Sequence, residues 1–594
     1  MSAAEQVETV HWDLAELTAG GGAEAVEALL GRAVERARAF AERYRGALER
    51  MDGAELAQAM SELAEIYDIV GRADSFASLD FSTDTADPAR GALVALTDER
   101  STELSTQLLF FELEWAALSD ERVEELLAHE DLAFCRHHLR SARRYRPYLL
   151  SEPEERILNE KSVSGVSAWT RLFSELTAAL EVELDDAEKV TLDVALARLM
   201  SPSRDVRRDT AAAVTSALEP GLRTRAFVFN TLLIDKATDD RLRSYPNWLA
   251  SRNLANEASD ESVEALVAAV KGRYELARRW YRLKAKLLGI DRLADYDRMA
   301  PLAQDEEHVE WTTARELVLD AYGSFSPVLG ELAGRFFAER WIDAPPGRGK
   351  RGGAFCAYTV PSVHPYVLLN YTARRRDVLT LAHELGHGVH AALAAPQGIF
   401  HQGTPLTLAE TASVFGEALT FGRLLEASPS PAARLALLAE DFEDAIATVF
   451  RQVAMNQFER LTHNERREQG ELSVDRLGEL WTQTQTDLLG DAVEVTEGYS
   501  SWWSYIPHFM STPGYVYAYA YGQLLALSVY ERYVEQGSEF AERYLELLRA
   551  GGSRSPEQLG EIVGIDLSDP DFWDRGLDLL ERRLEAAEAA AAAL

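Results

Sequence analysis

Cysteine is almost missing from this chain: Cys135 and Cys356 are the only two among 594 residues. Two thiols so far apart in sequence make no disulfide framework, so a reducing compartment, the cytoplasm, is the expected setting. Long apolar runs are missing as well. No stretch reaches the ~18 residues needed to cross a bilayer, and the alanine-rich "AAEAAAAAL" end is too short, so no membrane span is expected. Excess positive charge is also absent. Lys+Arg number 61 against 97 Asp+Glu, a net charge of −36, which argues against nucleic acid or an anionic membrane as partner. A solvated acidic surface accounts for that charge. The opening "MSAAEQVETVHWDLAEL" has neither a basic nor an apolar segment, so no signal peptide is expected.

Helical periodicity dominates what is present. "GGAEAVEALLGRAVERARAFAERYRGALERM" sets Ala, Leu and Val at three- and four-residue spacings among Glu and Arg. The regions 92–130 and 166–183 repeat the style, and no fixed period marks a solenoid. The texture breaks at 343–375, where "DAPPGRGKRGGAFCAYTVPSVHPYVLLNY" is rich in Gly and Pro and then turns β-like. The reading is a mainly α protein with a small β-sheet beside the histidine-bearing helix described next. An N-terminal helical region over 1–200 is expected to run without a flexible linker into a catalytic body over 201–594.

That helix is predicted from "DVLTLAHELGHGVHAAL". His383 and His387 are four residues apart, so they project from one face, one turn apart. Both can reach one zinc ion at about 2.0–2.1 Å. Glu384 is rotated about 100° from His383, beside the ion, where a general base for an attacking water belongs. Twelve histidines in 594 residues would produce H-E-x-x-H by accident in about one such chain in twenty-five, so context has to decide. His390 lies about 10 Å along the axis from His383 and is expected to stay off the ion. The extended pattern H-E-x-x-H-x-x-G-x-x-H fails here.

A third ligand must come from a second helix. "TPLTLAETASVFGEALTFGRLL" offers Glu410 and Glu417 on one side of a largely apolar helix, where carboxylates are costly unless paired or metal-bound. Seven residues apart, only one can bind the ion directly; the other could hydrogen-bond a ligand histidine or a nearby backbone group. Spacing alone leaves the choice open. Further on, "WWSYIPHFMSTPGYVYAYAYGQLL" gathers His508, Tyr505, Tyr515, Tyr517, Tyr519 and Tyr521, donors of the type a tetrahedral oxyanion needs; an aromatic core cluster is the alternative. The glycine run "GRGKRGG" lacks Ser/Thr after Lys350 and precedes no helix, which removes a phosphate-loop reading.

The segments "GKRGGAFC", "HPYVLLNY", "DVLTLAHELGHGVH", "LAETASVFGE" and "IPHFMSTPGYVYAYAYG", in that order, resemble the thimet oligopeptidase and oligoendopeptidase F family of zinc metallopeptidases. The likeness covers about 345–525 and is nearest to the bacterial oligoendopeptidase F branch. It implies a helical ellipsoid cut by a deep channel that admits short unfolded peptides. It also implies one zinc ion, with Glu410 of the E-x-x-S element (closed by Ser413) as third ligand and Glu417 as a supporting glutamate that does not touch the ion. His508 and Tyr515, with Tyr519 next, match the family's oxyanion donors, and the choice among Tyr515, Tyr517 and Tyr519 stays open. The strand at Tyr366, Val367 and Leu368 is implied to lie along the substrate, with Tyr517 also against it. Lys350 and Arg351 are candidates for binding the peptide's C-terminus, a plain surface loop being the alternative. The expected function is hydrolysis of short oligopeptides with Glu384 as base. The rivals are a carboxypeptidase on the same site and an inactive helical peptide-binding protein.

Overall fold

Apolar residues recurring every three or four positions wind most of the chain into helix. The computed structural model describes residues 7–184, 188–302, 308–428, 430–567, 569 and 571–594. They fall into two compact units, each assembled from three stretches of chain. The first takes Met1–Arg146, Glu306–Glu426 and Val529–Leu567; the second takes Pro147–Asp305, Ala427–Ser528 and Ser568–Leu594.

The first unit begins with helices α1 (Gly22–Tyr44), α2 (Gly53–Thr83) and α3 (Pro88–Ala117), packed on one another. Helix α1 buries Val26, Leu30, Ala33, Ala37, Phe40 and Tyr44, one stripe at helical spacing. A capping box starts α2: Asp52 Oδ1 accepts the Glu55 N–H and Glu55 Oε2 accepts the Asp52 N–H, both at 2.9 Å. Two of the unpaired donors of the first turn are thereby satisfied. Pro88 opens α3 where its missing N–H costs no bond. Phe40, Tyr44, Phe110, Phe111 and Trp115 fill the core among these helices.

The break in texture becomes a three-stranded sheet of β1 (Ile342–Asp343), β2 (Phe355–Ala357) and β3 (Tyr366–Leu368), in the order β1-β3-β2. β1 runs parallel to β3, and β2 antiparallel to it with Cys356 opposite Val367. The sheet packs on α4 (Arg375–Ala394), as expected for a small sheet beside the histidine helix. Helix α5 (Leu406–Ala427) follows. The glycine-rich loop after β1 is anchored by a buried ion pair: Lys350 Nζ lies 2.5 Å from Asp343 Oδ1, both side chains at most 5% exposed. Lys350 also donates to the Asp343 and Pro345 carbonyls. Its ammonium is consumed inside the fold, so it does not serve a peptide C-terminus.

The second unit is built around α6 (Arg451–Gln469), α7 (Val474–Leu489) and the first turns of α8 (Tyr517–Gln536). Its core joins Phe229, Phe458, Trp481, Trp503 and Phe509. Among the described residues no helix is long and apolar enough to cross a membrane.

Candidate active site

Helix α4 is buried nearly all round. Val378, Leu381, Ala382, Leu385, Val389 and Ala391 face the core, and Glu384 is only 7% exposed. Asp377 in its first turn accepts the backbone N–H of Thr372 at 2.7 Å and of Arg374 at 3.1 Å. The acid thus closes the helix start and sits at its positive end.

Helix α5 crosses so close to α4 that only glycine fits at 386. A Cβ there would stand 2.6 Å from Ser413 Cα and nearer still to the Ala412 carbonyl oxygen. One turn further along the same face of α5, Tyr322 packs against Gly416 and donates its hydroxyl at 2.6 Å to the carbonyl of Ala382, the residue before His383. These contacts bring Glu410 to the two histidines. His383 Nε2 lies 3.3 Å and His387 Nε2 3.6 Å from Glu410 Oε2. Two atoms bound at 2.0–2.1 Å to one tetrahedral ion stand about 3.3 Å apart, so the donor set fits a zinc-sized ion. It is the one group of three or more His, Cys, Asp or Glu found among the described residues with ligand atoms close enough to share an ion.

The atoms behind the triad orient it. Ser413 Oγ donates to Glu410 Oε2 at 2.7 Å, one turn along α5. His383 Nδ1 lies 3.1 Å from Glu417 Oε2, the placement of an N–H donating to a carboxylate, which leaves Nε2 on the side of Glu410 and available to a metal. The His387 ring also bonds the Ala409 backbone. Replacing Glu417 with glutamine, which removes the carboxylate behind His383, is expected to lower metal affinity or activity by roughly 10–100-fold. Competition with a chelator reads the affinity, and an unchanged value would separate Glu417 from the site.

The ionisable groups of the cluster shift one another and are shifted by burial. Burial lowers His383, but the bonds to Glu410 and Glu417 override it and hold the imidazole well above its ordinary range. Burial raises Glu410, yet the His383 hydrogen bond and the neighbouring imidazoles bring it down to about 2. His387 is pushed down to about 4, chiefly by burial, which keeps it neutral and ready to ligate. In the metal-free protein burial also raises the Glu384 carboxyl to about 7. His390 lies outside the triad, buried, with Nδ1 unpaired.

Two sequence expectations are corrected. Tyr366, Val367 and Leu368 are completely buried, and β3 is the central strand, with both edges paired. No backbone edge remains there for a peptide. The outer strands are β1 and β2, each with one edge lacking a strand partner among the described residues, an order that periodicity could not rank because it is a long-range property. Tyr517 is also fully buried: its hydroxyl donates to Asn253 Oδ1 at 2.7 Å and accepts from Asn256 Nδ2 at 3.0 Å, leaving nothing for substrate. In the second unit His508 Nε2 lies 3.2 Å from the Tyr519 hydroxyl, while the Tyr515 ring is parallel to His508 at 6.1 Å. Sequence reading did not reach Tyr358, just after β2. Its ring lies 6.4 Å from that of His387, and its buried hydroxyl has no hydrogen-bond partner. Nothing in its local sequence signals this, because the sheet carries it to α4.

Comparisons with known proteins agree with this chemistry. The signature of peptidase family M3 matches residues 198–579, and that of oligopeptidase F matches 114–181. Oligopeptidase PepF of Bacillus subtilis is 26% identical over 557 residues, 92% of this chain and 82% of the relative. Group B oligopeptidase PepB of Streptococcus agalactiae is 28% identical, covering 89% of this chain and 90% of the relative. The crystal structure of oligoendopeptidase-F from Enterococcus faecium superposes with a TM-score of 0.72 at 23% identity, over 95% of this chain and 98% of that one, a likeness of fold. With the family signature spanning well over half of the sequence and enclosing both α4 and α5, the chain belongs to peptidase family M3 and is a metallopeptidase, a hydrolase of peptides.

Proposed function

We propose that this chain is a cytoplasmic zinc endopeptidase that cleaves short, unfolded oligopeptides. The observation that carries the reading is the convergence of His383, His387 and Glu410 at tetrahedral-edge distances with Glu384 one residue away. Two imidazoles and one carboxylate form a catalytic rather than structural donor set, because a fourth position is left for water or substrate. Zinc bound there supplies Lewis acidity toward a water and toward the scissile carbonyl.

The protein's residues do the rest. Glu384 takes the proton of the attacking water and delivers it to the departing amine. His508 and Tyr519, already hydrogen-bonded to each other, are assigned with Tyr515 as the donors to the oxyanion. The free edge of β2 is assigned to the peptide backbone, which would add as a strand. Main-chain pairing of that kind requires an extended substrate, so folded proteins are poor substrates. The −36 charge keeps nucleic acid out of the expected partners.

The test is mass spectrometry of an unstructured peptide library, with and without chelator, including peptides blocked at either end. Internal cuts in doubly blocked peptides, abolished by chelator and restored by zinc, are expected. Cleavage confined to peptides with a free C-terminus would instead make the enzyme a carboxypeptidase.

A further inference from the structure

A polar stripe is buried in the second unit where an apolar one would be ordinary. Gln452, Asn456, Glu459 and His463 follow one another on α6 at spacings of four, three and four residues, which places them on one face. Each keeps a buried polar atom without a hydrogen-bond partner: Gln452 Oε1, Asn456 Nδ2, Glu459 Oε2 and both ring nitrogens of His463. Glu459 is completely buried, and burial raises its carboxyl to about 8. A buried acid is expensive to keep, and its hydrogen bond shows what it holds. Glu459 Oε1 accepts the Gly514 N–H at 2.8 Å.

Gly514 lies in the turn that separates His508 from Tyr519. The turn is closed by the Tyr515 N–H donating to the Thr512 carbonyl at 3.1 Å. Gly514 has φ +74°, and a Cβ there would stand 2.5 Å from Leu249 Cδ1, so the position is restricted to glycine. The preceding carbonyl, Pro513, accepts from Arg252 Nε at 3.3 Å, and the first turn of α8 is held by Tyr517 on Asn253 and Asn256. The backbone between the two donor residues is therefore clamped at three successive points. Glu459 is the clamp on the amide at the middle of the turn.

We infer that Glu459 is a positioning residue for the reaction, whose buried carboxyl group seats the Thr512–Tyr515 turn and thereby fixes the His508–Tyr519 pair in its working geometry. The inference rests on the reading of His508 and Tyr519 as oxyanion donors. It predicts a contribution to kcat through placement, not through substrate affinity, metal binding or charge.

The test uses the full zinc-loaded chain and an internally quenched peptide, with melting temperature and metal content measured alongside. E459A is expected to lower kcat by about 10²-fold, the size of effect an ångström of misplacement produces, with KM and zinc content unchanged. E459Q retains an oxygen for the Gly514 N–H and is expected to keep kcat within about threefold, the small loss of a preserved contact. In a Y519F background E459A is expected to add little, because both changes act on one pair and are non-additive. Should E459A not fold, E459D keeps the acid but withdraws it by one methylene and reads the same contact. A folded E459A or E459D enzyme with wild-type kcat, or losses that add fully to Y519F, would overturn the inference. An unchanged kcat in Y519F alone would instead overturn the donor assignment beneath it.

Discussion

Glu384→Gln is expected to remove turnover, by roughly 10²–10⁴-fold for a lost general base, while zinc stays bound. The amide matches the carboxylate in size, and Glu384 is not one of the three residues whose ligand atoms lie close enough to share an ion. It cannot accept the proton of the attacking water or return one to the amine. Metal analysis of the purified variant together with peptide cleavage checks both halves, and surviving turnover would move the base elsewhere. Stability should respond as well. In the metal-free protein, burial raises Glu384 from 4.5 to about 7, so the unfolded chain releases this proton first. Its contribution to stability is full below pH 4.5 and is lost as pH rises toward 7. Metal-free Glu384→Gln is therefore expected to melt above the metal-free wild type at pH 8 and close to it at pH 4.5.

The second large effect is expected from one methyl group. Gly386→Ala adds a Cβ 2.6 Å from Ser413 Cα, with the Ala412 carbonyl nearer still. Both obstacles are backbone, so no side chain can swing aside. Alanine is favoured over glycine in a helix by up to about 1 kcal/mol, whereas overpacking costs about 1–3 kcal/mol, so packing decides the sign. The helices must part, and parting them widens the 3.3 and 3.6 Å separations that suit the ion. Calorimetry should show a lower melting temperature, and chelator competition a weaker zinc affinity. Wild-type zinc affinity in this variant would mean that the α4–α5 approach does not set the ligand geometry.

The opposite fates of two tyrosines show how far local sequence carries. Tyr517 and Tyr519 sit two apart in "YVYAYAYG" with the same chemistry and small apolar residues on either side. Packing sends one to Asn253 and Asn256, the other to His508. The β segment behaves alike. Its residues are legible as a strand, but whether a strand is an edge or a centre depends on partners elsewhere in the chain. β3 lies between β1 and β2, and the substrate path read from Tyr366–Leu368 was lost to that order. Lys350 looks like an exposed loop cation until Asp343, on a neighbouring strand, encloses it.

The amino-acid sequence by itself determined the helical class, the pairing of His383 with His387 and the flanking Glu384, because those follow from the fixed rise and turn of one helix. It also confined the third ligand to Glu410 or Glu417. Tertiary structure decided what no single element could: that α5 approaches α4 at Gly386 closely enough to bring Glu410 to both imidazoles, and that Glu417 stands behind His383 instead. The physical reason is range. Helical register is set by backbone geometry over four residues, whereas ligand distance, strand order and the burial of an acid are set by which distant surfaces exclude water together.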